Sequence, residues 1–285
     1  MPSWSKPRIP GEGPDLRIER ITRYLPELQR LTRHFEAGDL VVFDLDNTVF
    51  REVQMLGTDE WYSHVLHEEQ RRGMSSAAVH EELGPLNRAI KHKTQMRLME
   101  VGLPEFIRDL QKRGVYTIGL TARHPVLAQS TIRHLAEFDI DFSRQSLPEQ
   151  PLRAFRIEGS GNAFLYAGGV MFSDGAKKGV TLKQMLLRVG QLPTRLAAID
   201  DRIQHIESYV ETIQDLELHA MLVHYLRVLE EPPFEPEVAQ AQRLVFEKLG
   251  LVLTDDEARA FLERNPGFDV SALDWRCSKL LMPAH

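Results

Sequence analysis

The chain is organised around the segment LVVFDLDNTV, residues 40 to 49. It begins as a short apolar run rich in Val and Phe, and two acids then interrupt it. This pattern is typical of a buried strand that delivers carboxylates into the loop that follows it. Ligands of open α/β sheets bind at the carboxyl ends of the strands. The segment therefore predicts an α/β fold with a polar site at the end of this strand.

The two acids of the segment, Asp44 and Asp46, crowd negative charge at one strand end. Such crowding is unfavourable unless a cation or a proton offsets it, and Mg2+ with its preference for oxygen ligands is the natural partner. The alternative is that both are ordinary turn or helix-capping acids, since Asp46-Asn47-Thr48 has the composition of a turn. This segment alone leaves the two interpretations equally weighted.

The segment resembles the first motif of the haloacid dehalogenase-like hydrolase superfamily, an apolar strand followed by Asp-x-Asp-x-Thr. Asp44, Asp46 and Thr48 stand at its three fixed positions. The resemblance implies a Rossmann-like parallel sheet flanked by helices. It also implies that the partner motifs follow in a fixed order along the chain.

Composition narrows the class of protein. A chain of 285 residues can form one α/β domain with insertions or two domains. The net charge of −6 argues against general nucleic-acid binding, because affinity for the phosphate backbone depends on basic surface. The single cysteine, Cys277, excludes an intrachain disulfide and a cysteine metal cluster.

The sequence predicts a cytoplasmic protein that does not enter a membrane. No apolar stretch approaches the length of a membrane span, and the N-terminus has no apolar core of a signal peptide. Residues 1–15 are rich in Pro, Gly and Ser and are predicted to form a loose arm.

Two further predicted strands end in polar residues, and a lysine-bearing helix start lies between them. Thr121 follows the apolar run 115–120, and Asp200-Asp201 follow the run 196–199. Lys177 and Lys178 follow a predicted β-hairpin over 164–172 and lead into a helix. Lysines at a helix start oppose the helix dipole, so at least one should have an anionic partner. Thr121, taken alone, fits a helix cap better than a ligand contact.

This order of residues matches all four motifs of the superfamily, and the resemblance covers residues 40 to 225. It implies that Asp44 is the nucleophile and that Asp46 first protonates the leaving alcohol and later deprotonates the attacking water. Lys178 is preferred as the motif lysine because it directly precedes Gly179, with Lys177 as the close alternative. The implied metal is Mg2+, and the implied substrate contacts come from hydroxyl and ammonium groups. The metal residues are Asp44, the Asp46 backbone carbonyl, Asp200 and, through water, Asp201; the substrate-binding residues are Thr121, Thr48 and Lys178.

Residues 50–103 are predicted to form an inserted small helical cap without a β-like run. Two stretches, Leu56-Gly-Thr-x-x-Trp61 and Gly119-Leu-Thr-Ala-Arg123, resemble a poorly characterised bacterial branch of the superfamily with a helical cap. That branch is known only as a domain of unknown function. Basic residues of the insertion and of the loop after the predicted strand 115–120 are candidates for substrate specificity, and none is assigned a role. They are His64, His67, Arg71, Lys91, His92, Lys93, Arg123 and His124.

Residues 16–35 and the C-terminal part of the chain are predicted to be helical. Apolar residues recur at helical spacing from Leu16 to Phe35, and Pro26 divides this segment into two helices. The α/β core is predicted over 16–49 and 104–230. Residues 231–285 form a C-terminal helical extension, predicted to pack against the sheet or to mediate contacts.

The resulting hypothesis is a Mg2+-dependent phosphatase that acts on a small phosphorylated metabolite. Within the superfamily that the chain resembles, the presence of Asp46 implies phosphoester hydrolysis or phosphoryl transfer, because the dehalogenases and the phosphonate-cleaving members lack this second acid. A phosphopeptide phosphatase with an open cleft and a catalytically silent binding protein are the alternatives. The sequence leaves the substrate and the formation of a homo-oligomer open.

Overall fold

A computed structural model describes residues 16–21, 25–149, 152–156, 163–190, 192–213, 216 and 218–266 of the protein. The predicted arm at residues 1–15 and Cys277 lie outside the described residues. In these parts of the chain, the strands are β1 Leu16–Ile21, β2 Leu40–Phe43, β3 Phe50–Glu52, β4 Met96–Leu98, β5 Tyr116–Thr121, β6 Ala154–Arg156, β7 Ala163–Ala167, β8 Val170–Phe172, β9 Arg195–Asp200 and β10 His219–Tyr225. The helices are α1 Leu25–Leu31, α2 Asp59–Arg71, α3 Ser76–Lys93, α4 Leu103–Lys112, α5 Ala128–Glu137, α6 Lys178–Val189, α7 Ile203–Ile213, α8 Pro236–Leu249 and α9 Asp255–Arg264.

The main sheet has eight strands in the order β1-β10-β9-β2-β5-β8-β7-β6. The pairs from β1 to β8 in this order are parallel, and the pairs β8/β7 and β7/β6 are antiparallel. The predicted α/β, Rossmann-like fold is therefore confirmed. The chain runs outward from β2 to β5 on one side and returns to β9 on the other, so a topological switch point lies at β2. Ligand sites of open sheets form at such points.

Strand β2 is buried on both faces, which explains why its sequence is apolar throughout. Leu40 and Val42 pack in an apolar cluster with Ile118 of β5, Ala198 of β9 and Leu182 of α6. All four residues of β2 are buried. A parallel strand that is covered on both faces needs a continuous apolar run, and this run sets the position of the acids that follow it.

Gly179 allows helices α6 and α7 to approach each other closely. A Cβ atom at this position would overlap with the backbone carbonyl of Ser208 and the hydroxyl of Thr212. The Gly179 backbone N–H also donates a hydrogen bond of 3.1 Å to the Ser208 hydroxyl. The start of α6, which carries Lys178, is thereby fixed against α7.

We expect Gly179→Ala to lower the free energy of unfolding by about 1–3 kcal/mol, because an added methyl group meets backbone that cannot move aside. Urea unfolding followed by circular dichroism measures this loss. Gly84→Ala in α3 is the control, because its Cβ would meet only the end of the flexible Arg88 side chain. Equal midpoints for Gly179→Ala and the wild type would contradict the close packing of α6 and α7.

The second compact unit comprises residues 51–97 and, in the described part of the chain, residues 232–266. Helices of both segments share one apolar cluster, with Trp61 and Leu83 from the first and Val238 and Ala258 from the second. Gln242 links the segments further, because its Oε1 accepts a hydrogen bond of 2.9 Å from the Leu56 N–H. The C-terminal helices therefore share their core with the helices of the insertion.

Two predictions about secondary structure are wrong. Residues 16–21 form strand β1, which pairs in parallel with β10 over its whole length, and not a helix. Leu16 and Ile18 fit strand alternation, whereas Ile18 and Ile21 fit helical spacing, so a segment this short is compatible with both structures. The insertion is also not purely helical, because β3 and β4 at its two ends form a two-stranded sheet. Strands of three residues are too short for periodicity to reveal.

Hydroxyl side chains cap two helices: Thr58 caps α2, and Thr254 with Glu257 forms the capping box of α9. The hairpin predicted over 164–172 is the antiparallel pair β7/β8. Within the described ranges, no helix combines the length and the apolar character that a membrane crossing requires.

Candidate active site

Asp44 lies directly after β2 and is buried, with 4% of its surface exposed. Its backbone N–H donates a hydrogen bond of 2.9 Å to the Ile199 carbonyl, which extends the pairing of β2 with β9. The Thr48 hydroxyl donates to Asp44 Oδ2 at 3.3 Å. Lys178 Nζ donates to Asp44 Oδ1. Both carboxylate oxygens of Asp44 are thus held by side chains that the sequence singled out.

Lys178 is the first residue of α6 and is fully buried. Besides Asp44, its ammonium group donates to Asp200 Oδ2 at 2.7 Å. Lys177 points away from these acids, since 71% of its side chain is exposed and it pairs with Glu211. Of the two candidate lysines, Lys178 is the one that lies between the strand-end carboxylates.

Asp200 ends β9 and is completely buried. Its Oδ1 accepts a hydrogen bond of 3.0 Å from the Arg202 N–H and lies 2.8 Å from His205 Nδ1. Asp201 is the next residue and is partly buried. Asp44, Asp200 and Asp201 each offer a carboxylate oxygen, and these three atoms lie within 4.8 Å of one another. Three carboxylates from two strand ends therefore converge.

Burial and charge set the protonation of this cluster. Burial, together with the charge of Asp200, raises the pKa of Asp44 to about 6, although Lys178 opposes the shift. Burial also disfavours the charged form of Asp200, but Lys178 and His205 outweigh it and lower the pKa of Asp200. For Lys178, the two carboxylates outweigh burial and raise the pKa of its ammonium group above the ordinary value. One buried ammonium thus faces at least two carboxylates, so the cluster has less positive than negative charge.

The donor set fits Mg2+. All three candidate ligands are carboxylates, which are the hard oxygen ligands that Mg2+ prefers. Two oxygens on the same Mg2+ lie at most about 4.2 Å apart, so three oxygens that lie within 4.8 Å of one another need at most a small adjustment. A divalent cation would also supply the positive charge that the cluster lacks.

Thr121 ends β5 and is completely buried. Its hydroxyl oxygen accepts a hydrogen bond of 3.1 Å from the Arg123 backbone N–H. Its carbonyl accepts two bonds from Ser173, at 2.9 Å from the N–H and 3.0 Å from the hydroxyl. These contacts fix the loop after β5 at the same edge of the sheet as Asp44 and Asp200.

Asp46 makes a different set of contacts from Asp44. Its side chain is not among the three carboxylates that converge, and it forms an ion pair with Arg123 instead. Arg123 Nη2 donates to Oδ1 at 2.7 Å and Arg123 Nε donates to Oδ2 at 2.9 Å. The metal contact that the resemblance implies for Asp46 involves its backbone carbonyl and not this side chain.

The sequence reasoning missed two residues at the site. Arg123 was named without a role, although its position two residues beyond Thr121 marked it as part of the strand-end loop. His205 was not considered. Its signal was the helix that follows Asp200-Asp201 directly, whose first turn must lie beside those acids.

Comparison with known proteins places the chain in a family. The model of that family, described as "Protein of unknown function (DUF2608)", matches residues 19–259, and the chain belongs to it. A relative from Chlamydia trachomatis serovar D, named "Putative outer membrane protein", is 22% identical over 231 residues, which is 81% of this chain and 84% of the relative. A Chlamydia pneumoniae protein of the same description is 23% identical over 242 residues, covering 81% and 88%.

Among solved structures, the chain is similar to one described as a phospho-aspartyl intermediate analogue of phosphoserine phosphatase. The identity is 14% and the TM-score 0.34, with 68% of this chain and 99% of that chain covered. The fold assigned above rests on the strand order of this protein and not on that likeness.

Proposed function

We propose that this protein is a Mg2+-dependent phosphatase of the haloacid dehalogenase-like type, which hydrolyses phosphomonoesters through an aspartyl-phosphate on Asp44. The observation that carries the proposal is the buried Asp44 carboxylate at the switch point of the sheet, held against Lys178 and close to Asp200 and Asp201. A structural acid needs no such gathering of charges at a ligand-binding edge. A nucleophile that must meet a phosphoryl group does.

The reaction follows from the two acids after β2. In the first step, a carboxylate oxygen of Asp44 forms a bond to phosphorus while the bond to the leaving alcohol oxygen breaks, and Asp46 gives that oxygen its proton. In the second step, Asp46 takes a proton from a water molecule, which attacks the same phosphorus and releases Asp44 and inorganic phosphate. Asp46 thus returns to its starting state after each turnover.

The remaining residues handle the charge of the phosphoryl group. The groups that would hold Mg2+ are Asp44, Asp200, Asp201 and the Asp46 backbone carbonyl. The charge of the ion would offset that of the phosphoryl oxygens. Lys178 contributes a second positive charge beside Asp44. Thr121, at the end of the neighbouring strand, is assigned to hold the phosphoryl group in place.

The substrate is proposed to be a small phosphorylated metabolite, and the helical insertion at 50–103 is proposed to act as a cap. The second acid, Asp46, supports a phosphoester, because an alcohol leaving group needs a proton donor. The cytoplasmic location stays a prediction. The names of the Chlamydia relatives refer to an outer membrane, and this description applies to those proteins.

Removal of divalent metal tests the proposal. We expect the full chain to hydrolyse p-nitrophenyl phosphate with Mg2+ present and to lose at least about 100-fold in rate after dialysis against EDTA. Readdition of Mg2+ should restore the rate, while NaCl at equal ionic strength should not. Hydrolysis that continues unchanged in EDTA would contradict the metal site. If the protein is active, a panel of phosphorylated metabolites identifies its substrate class.

A further inference from the structure

The Arg123 guanidinium joins the two loops that carry Asp46 and Thr121. Two of its nitrogens, Nε and Nη2, donate to the two oxygens of the Asp46 carboxylate at 2.9 and 2.7 Å. A planar fork that binds both oxygens fixes the plane of the carboxylate as well as its distance. The backbone N–H of the same residue donates to the Thr121 hydroxyl at 3.1 Å.

The guanidinium is itself held on two further sides. Its third nitrogen, Nη1, donates to the Thr131 hydroxyl of α5 at 3.0 Å. The Phe50 ring lies beneath it, with 4.9 Å between Cζ and the ring centroid. Only 3% of the Arg123 side chain is exposed, against 16% for Asp46. The arginine is therefore the fixed member of the pair, and the more exposed carboxylate is the member whose orientation depends on it.

We propose that Arg123 is a positioning residue that aims the Asp46 carboxylate at the leaving-group oxygen and at the attacking water, an inference that rests on the phosphatase function proposed above. A carboxylate beyond a strand end can rotate about two side-chain bonds, and proton transfer requires hydrogen-bond distance to the reacting oxygen. The bidentate pair removes that freedom. Arg123 also spans from Asp46 to the Thr121 loop, so it fixes the position of the acid relative to Thr121, the residue assigned to hold the phosphoryl group.

This role differs from two others that an arginine at such a site could have. An arginine that binds the substrate phosphate directly would change KM more than kcat when it is replaced. An arginine that only stabilises the fold would change the free energy of unfolding and leave the kinetics of the folded protein unchanged. A positioning residue lowers kcat with little change in KM, since the substrate still binds.

Three variants separate these roles. We expect Arg123→Ala to lower kcat on p-nitrophenyl phosphate by about 100-fold and KM to change less than threefold, because a misplaced group of this kind costs about that factor. Arg123→Lys keeps the charge but not the fork, so it should recover only a part of kcat. Guanidinium ion at non-denaturing concentration should raise the kcat of Arg123→Ala and not that of the wild type. Arg108→Ala is the matched control, because Arg108 forms an ion pair with Asp139 at the other end of α5.

Crystal structures of the wild type and Arg123→Ala supply a readout that needs no turnover. We expect the Asp46 carboxylate to leave its wild-type orientation in the variant while Asp44, Lys178 and Asp200 keep theirs. An unchanged Asp46, or a variant with wild-type kcat, would overturn the positioning role. A tenfold rise in KM at constant kcat would overturn it in favour of direct substrate binding. An inactive wild type would instead contradict the phosphatase function, and the two crystal structures would still decide whether Arg123 orients Asp46.

Discussion

Asp44→Asn is expected to abolish phosphoester hydrolysis, with a loss of at least about 10⁴-fold in kcat. The amide oxygen is a far weaker nucleophile than a carboxylate, and it also offers a weaker ligand for Mg2+. Because the proposed reaction proceeds through a covalent bond to this side chain, no neighbouring group can replace it. Steady-state hydrolysis of p-nitrophenyl phosphate with Mg2+ measures the loss.

Asp109→Asn provides the matched control for this substitution. Asp109 lies on α4, is 65% exposed and pairs with Lys112, so the same chemical change should leave kcat unaltered there. Rapid quenching of wild type with a ³²P-labelled substrate should trap label on the protein, and Asp44→Asn should trap none. Activity of Asp44→Asn within tenfold of the wild type would exclude the aspartyl-phosphate route.

The same substitution should raise stability in the absence of metal. The pKa of Asp44 is raised from 3.8 to about 6, so folding disfavours its ionised form. The resulting destabilisation of the wild type is absent below about pH 4, grows as the pH rises to 6 and is constant above that. The amide that replaces the carboxylate carries no charge, so the variant should unfold at higher urea concentration than wild type at pH 7 and at nearly the same concentration at pH 4. Mg2+ should narrow the difference in unfolding urea concentration between the variant and the wild type at pH 7, because it stabilises the wild type.

The parts of the fold that the sequence predicted are those fixed by burial on both faces. Strands β2, β5 and β9 are mostly apolar and buried because helices cover both faces of a parallel sheet. Their carboxyl ends share one edge, so the polar residues that follow each run had to lie near one another. The convergence of Asp44 with Asp200 and Asp201 follows from this rule without any knowledge of side-chain positions.

The features that the sequence did not predict depend on orientation or on marginal patterns. Strand β1 lies at the edge of the sheet, where most of its residues are exposed and its apolar spacing fits two structures. The pairing of Arg123 with Asp46 depends on the rotamers of two residues that lie far apart in the sequence, and no spacing rule fixes these rotamers. The shared core of the insertion and the C-terminal helices depends on a buried Gln242 whose hydrogen bonds span the two segments.

Lys178→Met should affect both activity and stability, and the stability effect should depend on pH. The variant keeps the apolar stem but removes the ammonium group that contacts both Asp44 and Asp200. Loss of one partner from a buried ion pair costs about 3–5 kcal/mol, because the remaining charges stay desolvated and repel each other. We expect such a loss at pH 7, together with a fall in kcat of about 10³-fold from the missing charge beside the phosphoryl group.

At pH 5 the stability loss of Lys178→Met should shrink. Asp44 already has a pKa of about 6 with the lysine present, and removal of the opposite charge raises this pKa further. As the pH falls below 6, Asp44 takes up a proton in the folded variant, and the repulsion from Asp200 disappears. Urea unfolding at pH 5 and pH 7 measures both values, with Lys177→Met as control because its exposed side chain lies outside the cluster. An equal loss at the two pH values would mean that Lys178 does not balance the charge of Asp44.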